Sequence, residues 1–252
     1  MIMVDETSTS ISERLPESVP VEFDDYANEY EEALQTGLQV SGEHPEYFAR
    51  RRIEWTHALL DSRDIEINTV LDFGCGVGIA APLLNEILNP QCIWGFDPST
   101  AAIARARQDR PGSPNQFVDC ADELPSAEFD LVYTNGVFHH IPPRERATAF
   151  ATIWRTLRPG GWFAFWENNP WNPGTRLVMN RIPFDRDAIT ISPYEANHLL
   201  RRSGFNPVRT DAWFLFPHRL RALRPLEWLV HRIPFGAQYL VLAQKPLTLE
   251  GQ

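Results

Sequence analysis

The chain has little of what several protein classes require. Its 252 residues include three cysteines, Cys75, Cys92 and Cys120. These are too few and too scattered for a disulfide framework or a zinc cluster, and no metal site is predicted from spacing. They fit a reducing compartment, so a cytoplasmic location is expected. Basic residues are in deficit: 23 Lys and Arg stand against 33 Asp and Glu, a formal charge of -10. A broad nucleic-acid surface relies on clustered cations, so nucleic acid is not an expected partner. No apolar run approaches the roughly 18 residues of a membrane span. The opening "MIMVDETSTSISERLPESVP" is acidic and lacks an apolar h-region, so it does not read as a signal peptide. Two phosphate-binding signatures are missing as well. In "VLDFGCGVG" (70–78) Gly74, Gly76 and Gly78 follow an apolar run, but Ile79 stands where a dinucleotide fingerprint needs its third glycine. No Gly-Lys-Ser/Thr follows either, which excludes a P-loop.

What is present is an ordinary globular composition, 43% hydrophobic and 22% charged, enough for one substantial core. Residues 1–20 are rich in Ser, Thr, Glu and Pro and are predicted to form a mobile tail. In "FDDYANEYEEALQTGL" the residues Phe23, Tyr26, Ala27, Tyr30, Leu34 and Leu38 recur at spacings of three and four, which predicts an amphipathic helix. A second helix is predicted around 45–60, carrying Tyr47, Phe48, Ile53 and Trp55. Beyond Asn68 strand-like and helix-like segments alternate. The strand candidates are 69–73, 92–96, 116–120, 129–134 and 162–167, with helices at 77–88, 99–108 and 143–157 between them. Several strands are apolar on both faces, as strands covered by helices on either side must be. The last of these helices is predicted to stop at "RPGG", followed by a tight turn. This rhythm predicts an α/β fold with a Rossmann-like, doubly wound, mostly parallel sheet. "SPYEANHLLRRSGF" reads as a helix opened by a capping box of Ser192 and Glu195. Strand-like 206–216 and 237–245 then flank a separator of one helix or two short ones, giving antiparallel strands at the C-terminal end.

Ligands of open α/β sheets sit at the carboxyl ends of the strands. There the chain places "VLDFGCGVG", "GFDPST", "VDCADELP", "TNGVFHH" and "WENNPWNP", all polar or glycine-rich, while the strand bodies are apolar. In the first of these an acid, Asp72, stands two residues before Gly74. A carboxylate there favours a cation or amine and repels a pyrophosphate.

With these loops in this order, the chain resembles the class I S-adenosylmethionine-dependent methyltransferases over about residues 60–170. "FDLVYTNGVFHHI" and "LRPGGWFAFWE" are similar to that family's fourth strand with its loop and its fifth strand with the preceding turn. The resemblance implies S-adenosylmethionine as cofactor. Gly74, Cys75, Gly76 and Gly78 would pass under its methionyl part and ribose, and Asp72 would lie near its ammonium group. Asp97 would hold the ribose hydroxyls, a pairing suited to a carboxylate and a cis-diol. "VDCADELP" would close over the adenine through Asp119, Cys120 and Ala121, with Asp122 as the alternative acid. Asn135 completes the implied cofactor set. Cys75 is expected to be a small filler inside the loop rather than a nucleophile, and Cys120 to contribute backbone rather than thiol, since nothing cationic lies near it in sequence.

Flanking segments such as "YFARRRIEW", "ENNPWNPGT" and "PFDRDAI" resemble small-molecule methyltransferases of bacterial biosynthetic clusters. That resemblance implies an N-terminal helical lid over 21–62, a cofactor-binding core over 63–170, and substrate-side loops and strands over 171–252, all one domain. The expected reaction is methylation of a small-molecule acceptor, at oxygen, in a glycan, lipid-linked or secondary-metabolite route. Methylation at nitrogen or carbon, or a silent cofactor-binding module, are the alternatives. An in-line transfer chiefly needs alignment, while an alcohol acceptor gains from a base. His140, rather than His139, and Glu167 are the catalytic candidates. Packing against the cofactor, or a structural hydrogen bond, is the plainer role for each. Asn168 and Asn169 are expected to order the following turn, and Trp166 and Trp171 to form either a stacking wall or core packing. Finally, 218–232 gathers Arg219, Arg221, Arg224, Arg232, His218 and His231 against Glu227 alone. This stretch predicts weak contact with a membrane surface or an anionic substrate, without membrane insertion, or a solvated helix facing an acidic neighbour.

Overall fold

The computed structural model describes residues 30–110, 115–186 and 188–247. The expected tail and the Phe23, Tyr26 and Ala27 positions of the first helix lie outside these. Helix α1 (Tyr30–Leu38) leads through a short 3-10 turn into α2 (Pro45–Asp61). Then come β1 (Thr69–Phe73), α3 (Ala81–Leu88), β2 (Cys92–Phe96), α4 (Thr100–Asp109), β3 (Asn115–Val118), β4 (Phe129–Asn135), α5 (Arg146–Thr156) and β5 (Leu157–Asn168). After β5 the order is α6 (Pro173–Met179), α7 (Pro193–Arg202), β6 (Asn206–Trp213), α8 (Glu227–Val230) and β7 (Gln238–Gln244).

The strands form one seven-stranded sheet in the order β3-β2-β1-β4-β5-β7-β6. β1 to β5 pair in parallel, and β7 lies antiparallel between β5 and β6. The winding reverses between β1 and β4, so the ligand crevice opens at the carboxyl ends of those two strands. Period-two alternation sends Leu131, Tyr133, Trp162, Ala164 and Trp166 into the core on one face. Val132, Phe163 and Phe165 enter the core on the other. Both faces are dry, which is why the strands read as continuous apolar runs.

Helix α2 covers the first face. Its Trp55 stacks on Trp213 with ring centroids 3.8 Å apart and lies 6.3 Å from Trp166. Trp166 Nε1 donates to Thr56 Oγ1 at 3.0 Å, so the indole dipole is satisfied inside the core. Helix α2 is thereby pinned against β5 and β6.

Some boundaries differ from expectation. "RPGG" is not a turn after a helix: α5 passes directly into β5, and Gly160 takes φ 79° at an irregularity where the register with β4 shifts between Phe129 and Leu131. β6 stops at Trp213 because Phe214 has φ 62°, which ends the extended run. The separator, His218–Leu226, is 3-10 helix broken by a kink at Leu220 (φ -110°, ψ 22°), with Pro225 near its end, and is followed by the four-residue α8.

Candidate active site

The loop after β1 holds Gly74, Gly76 and Gly78 at φ 77°, 52° and 75°, a left-handed conformation that costs residues with a Cβ roughly 1–2 kcal/mol. A Cβ on Gly74 would overlap the Val137 side chain, so glycine lets the loops after β1 and β4 touch. A Cβ on Gly76 would meet nothing within 4 Å, which leaves that side of the loop open to a ligand. The loop is held from below: Gly74 N and Cys75 N donate to Phe96 O at 2.7 and 3.0 Å. Gly76 N donates to Asp97 Oδ2 at 2.9 Å, while Asp97 Oδ1 accepts from Ser99 N at 3.0 Å. A carboxylate has about four lone-pair sites, so loop and ligand can share Asp97.

Asp72 is 4% exposed. Burial first, and the nearby Asp97 charge second, push its carboxyl up to about 7, with the Arg52 guanidinium only partly opposing them. A ligand cation beside it would restore the charged form. Ala121 is fixed through its carbonyl, which accepts from Arg155 Nη2 at 2.7 Å. Asp119 is half-buried, while Cys120 and Asp122 are exposed. At the end of β4 the buried Asn135 Oδ1 has no hydrogen-bond partner.

Beside this loop lies a cavity of about 420 Å³. Leu34 and Leu38 of α1, Phe48 of α2, Val178 and Met179 of α6, and Ile182, Phe184 and Phe214 make much of its wall apolar. Asn135 and Gly136 also line it, so the cavity reaches the loop that packs on Gly74. Its polar lining includes Glu43, Arg52, Asn168, Arg224 and Gln238, and one cluster of His139, His140 and Asp185. His139 and His140 arrive on the turn after β4, and Asp185 on the 3-10 turn Pro183–Asp185. His139 Nδ1 lies 2.6 Å from Glu167 Oε2, and Glu167 Oε1 accepts from Phe138 N at 2.7 Å. Asp185 Oδ1 is 3.1 Å from His140 Nε2 and 3.4 Å from His139 Nε2. The longer approach falls outside hydrogen-bond geometry, so the buried His139 Nε2 meets Asp185 as an ion pair without a hydrogen bond.

The charges of this cluster are coupled. Burial alone would lower the His139 pKa, but Glu167 and Asp185 outweigh it and carry the imidazole up to about 10. Burial opposes ionisation of Asp185, yet its contacts with both histidines hold it down to about 2. His140 is lowered by burial and then by the charge on His139.

Among the residues anticipated from sequence, His140 lines the cavity, whereas Glu167 is 1% exposed and stands behind His139. Trp166 is core, and Trp171 is 47% exposed away from the cavity lining. Asn169 orders its turn, with Nδ2 donating to Pro234 O and Gly236 O and Oδ1 accepting from Trp171 N. Asn168 lines the cavity, where its Oδ1 accepts from Gln238 Nε2. In the basic stretch, His218 and Arg224 both meet Glu43 Oε1, at 2.8 and 2.7 Å, while Arg219 and Arg221 are exposed. Among the lining residues not singled out from sequence are an acid and a cation. Asp185 lies within "PFDRDAI", and Arg52, whose Nη1 donates to Gln238 Oε1 at 2.8 Å, sits in "YFARRRIEW".

The methyltransferase domain family matches residues 71–165, the span from β1 to β5. An uncharacterized methyltransferase of Synechocystis is 34% identical over 147 residues, which cover 56% of this chain and 68% of that protein. The chain belongs to the S-adenosylmethionine-dependent methyltransferases of class I. A trans-aconitate 2-methyltransferase of Azoarcus is 29% identical over 153 residues, covering 60% of this chain and 56% of that enzyme. The chain thus spans about half the length of such relatives. An S-adenosylmethionine-dependent methyltransferase from Mesorhizobium loti shares the fold, with TM-score 0.55 and 22% identity over 76% of this chain and 97% of that one.

S-adenosylmethionine is the cofactor of this methyltransferase family. The residues present fit it: Gly76 leaves open space, Asp72 is a buried acid suited to an ammonium, and the Asn135 Oδ1 acceptor has no partner. Among the described residues no helix is long and apolar enough to cross a membrane.

Proposed function

We propose that this methyltransferase alkylates a hydroxyl of a small, largely apolar molecule. The observation that carries the reading is the cavity itself, apolar over most of its wall, with His140 and Asp185 among its polar groups, and reaching the loop that packs on Gly74. When bound, the sulfonium supplies an already activated methyl group. The protein's part is then to orient the acceptor, exclude water and take up one proton. Leu34 and Leu38 of α1 close one side of the cavity, the role of a lid. His140 receives the hydroxyl proton, with Asp185 as the acid that fixes its ring. Glu167 acts through His139 as a positioning residue, since its carboxylate is turned to Phe138 N and His139 Nδ1.

Trans-aconitate, named for the Azoarcus relative, is a tricarboxylate and needs several cations. Here Arg52 is bonded to Gln238 and Arg224 to Glu43, while Asp185 and Glu43 stand in the same wall. These contacts favour an apolar alcohol over a polyanion. On the outer surface, exposed Arg219 and Arg221 beside Leu220, Leu223 and Leu226 suit weak contact with an anionic surface.

Calorimetry with S-adenosylmethionine, followed by a mass screen for one added methyl across apolar alcohols, tests the proposal. Binding and a methylated alcohol are expected, with turnover lost in His140→Ala. Binding with no methylated acceptor would point to a silent module instead, and a methylated tricarboxylate would overturn the acceptor class.

A further inference from the structure

We propose that His139, His140 and Asp185 form a site for one divalent transition-metal ion in the inner corner of the cavity. Their ligand atoms all lie within 4.8 Å of one another. Ligands held about 2.1 Å from an ion stand about 3.0 Å apart at a right angle and about 3.4 Å apart at a tetrahedral one. Asp185 Oδ1 lies 3.1 and 3.4 Å from the two imidazole Nε2 atoms, which are the edges of such a polyhedron. The 3.4 Å approach makes no hydrogen bond, so His139 Nε2 is a buried nitrogen aimed at a carboxylate without a donor–acceptor bond to it.

The surroundings of His139 point the same way. Metal-bound imidazoles commonly give their second nitrogen to a carboxylate, which fixes the tautomer and the ring. His139 Nδ1 does this with Glu167 at 2.6 Å, and Phe138 N at 2.7 Å holds the other carboxylate oxygen. That contact leaves Nε2 as the nitrogen to meet an ion, whose binding displaces any proton there. Two imidazoles and one carboxylate suit Zn²⁺, Fe²⁺ or Mn²⁺ rather than Mg²⁺ or Ca²⁺. Because His140 and Asp185 line the cavity, the remaining coordination positions face the acceptor space. The inference rests on the reading of the cavity as the acceptor site; with an ion bound His140 is a ligand, and its part as proton acceptor belongs to the metal-free protein.

The test is titration of chelator-treated protein with Co²⁺, read by calorimetry and by visible absorption. One ion per chain is expected, with d–d bands and no thiolate charge-transfer band. His140→Ala and Asp185→Asn should abolish the titration while circular dichroism shows the fold intact. Glu167→Gln, which keeps the shape and removes the charge, should weaken binding about 10–100-fold. No binding, binding unchanged in the two ligand variants, or a thiolate band implicating Cys92 or Cys120 would overturn the site. S-adenosylmethionine binding is measured on the same samples. Cofactor binding without Co²⁺ binding strikes the metal site alone, and Co²⁺ binding without cofactor binding strikes the methyl-transfer reading alone.

Discussion

Replacing Asp72 with Asn moves stability and cofactor affinity in opposite directions. In the folded protein burial and Asp97 raise this carboxyl to about 7, whereas an unfolded chain titrates it at about 3.9. Between those values the folded state holds a proton that the unfolded state has lost. Stability therefore falls as pH rises through this window, by about 4 kcal/mol once pH exceeds 7. Asn carries no such cost, so Asp72→Asn should raise the melting temperature of the ligand-free protein at pH 7.5 by several degrees. Binding behaves oppositely. An ammonium beside Asp72 favours the carboxylate, so cofactor affinity should rise with pH and level off above about 7. Two pH units lower, about 1% of the protein has the ionised acid, and the dissociation constant should be up to about 100-fold weaker. At pH 7.5 the variant should bind about 10–100-fold more weakly, as loss of a charged hydrogen bond implies, and without the slope. Scanning fluorimetry and calorimetry from pH 5 to 8.5 measure both effects. A lowered melting temperature in the variant, or an unchanged pH slope, would refute the placement of Asp72 against the ammonium.

Gly74→Ala and Gly76→Ala should separate structure from ligand contact. The first drives a methyl into Val137 and should lower stability by about 1–3 kcal/mol. The second meets nothing within 4 Å and should cost mainly cofactor affinity, with a fall of about 1 kcal/mol in stability; equal melting temperatures would contradict the contrast. Trp55→Ala removes the ring between Trp213 and Trp166 and should destabilise by about 3–5 kcal/mol in urea unfolding. Arg219→Glu with Arg221→Glu should abolish salt-sensitive co-sedimentation with anionic vesicles while leaving the melting temperature unchanged; undiminished sedimentation would remove the surface contact.

Features set by local pattern were legible in the sequence. Apolar runs such as "TVLDF" and "CIWGF" announced strands covered on both faces, and the three glycines after Asp72 announced the left-handed loop that follows β1. Asp97 was readable because its place at the end of β2 follows from chain order alone. What depended on meeting at a distance was not. Asp185 reaches the two histidines only because the segment after α6 folds back across the cavity, and "PFDRDAI" carries no periodicity that announces it. Phe214 shows the same limit: its neighbours are all good strand formers, yet φ 62° ends the strand.

Glu167 shows how strand position and side-chain role part company. Its place at the end of β5 could be read, but the strand end alone leaves open whether the carboxylate reaches the crevice or stops beneath it. The answer lies in the turn after β4, which brings Phe138 N and His139 Nδ1 within 2.7 and 2.6 Å and so occupies both oxygens. The same turn places His140 in the cavity wall. Two adjacent histidines thus receive different surroundings from one backbone bend, His139 held between two acids and His140 set in the cavity wall against Asp185. A residue-by-residue reading could rank that pair, but the division of roles follows from Glu167 and Asp185 approaching His139 from opposite ring nitrogens.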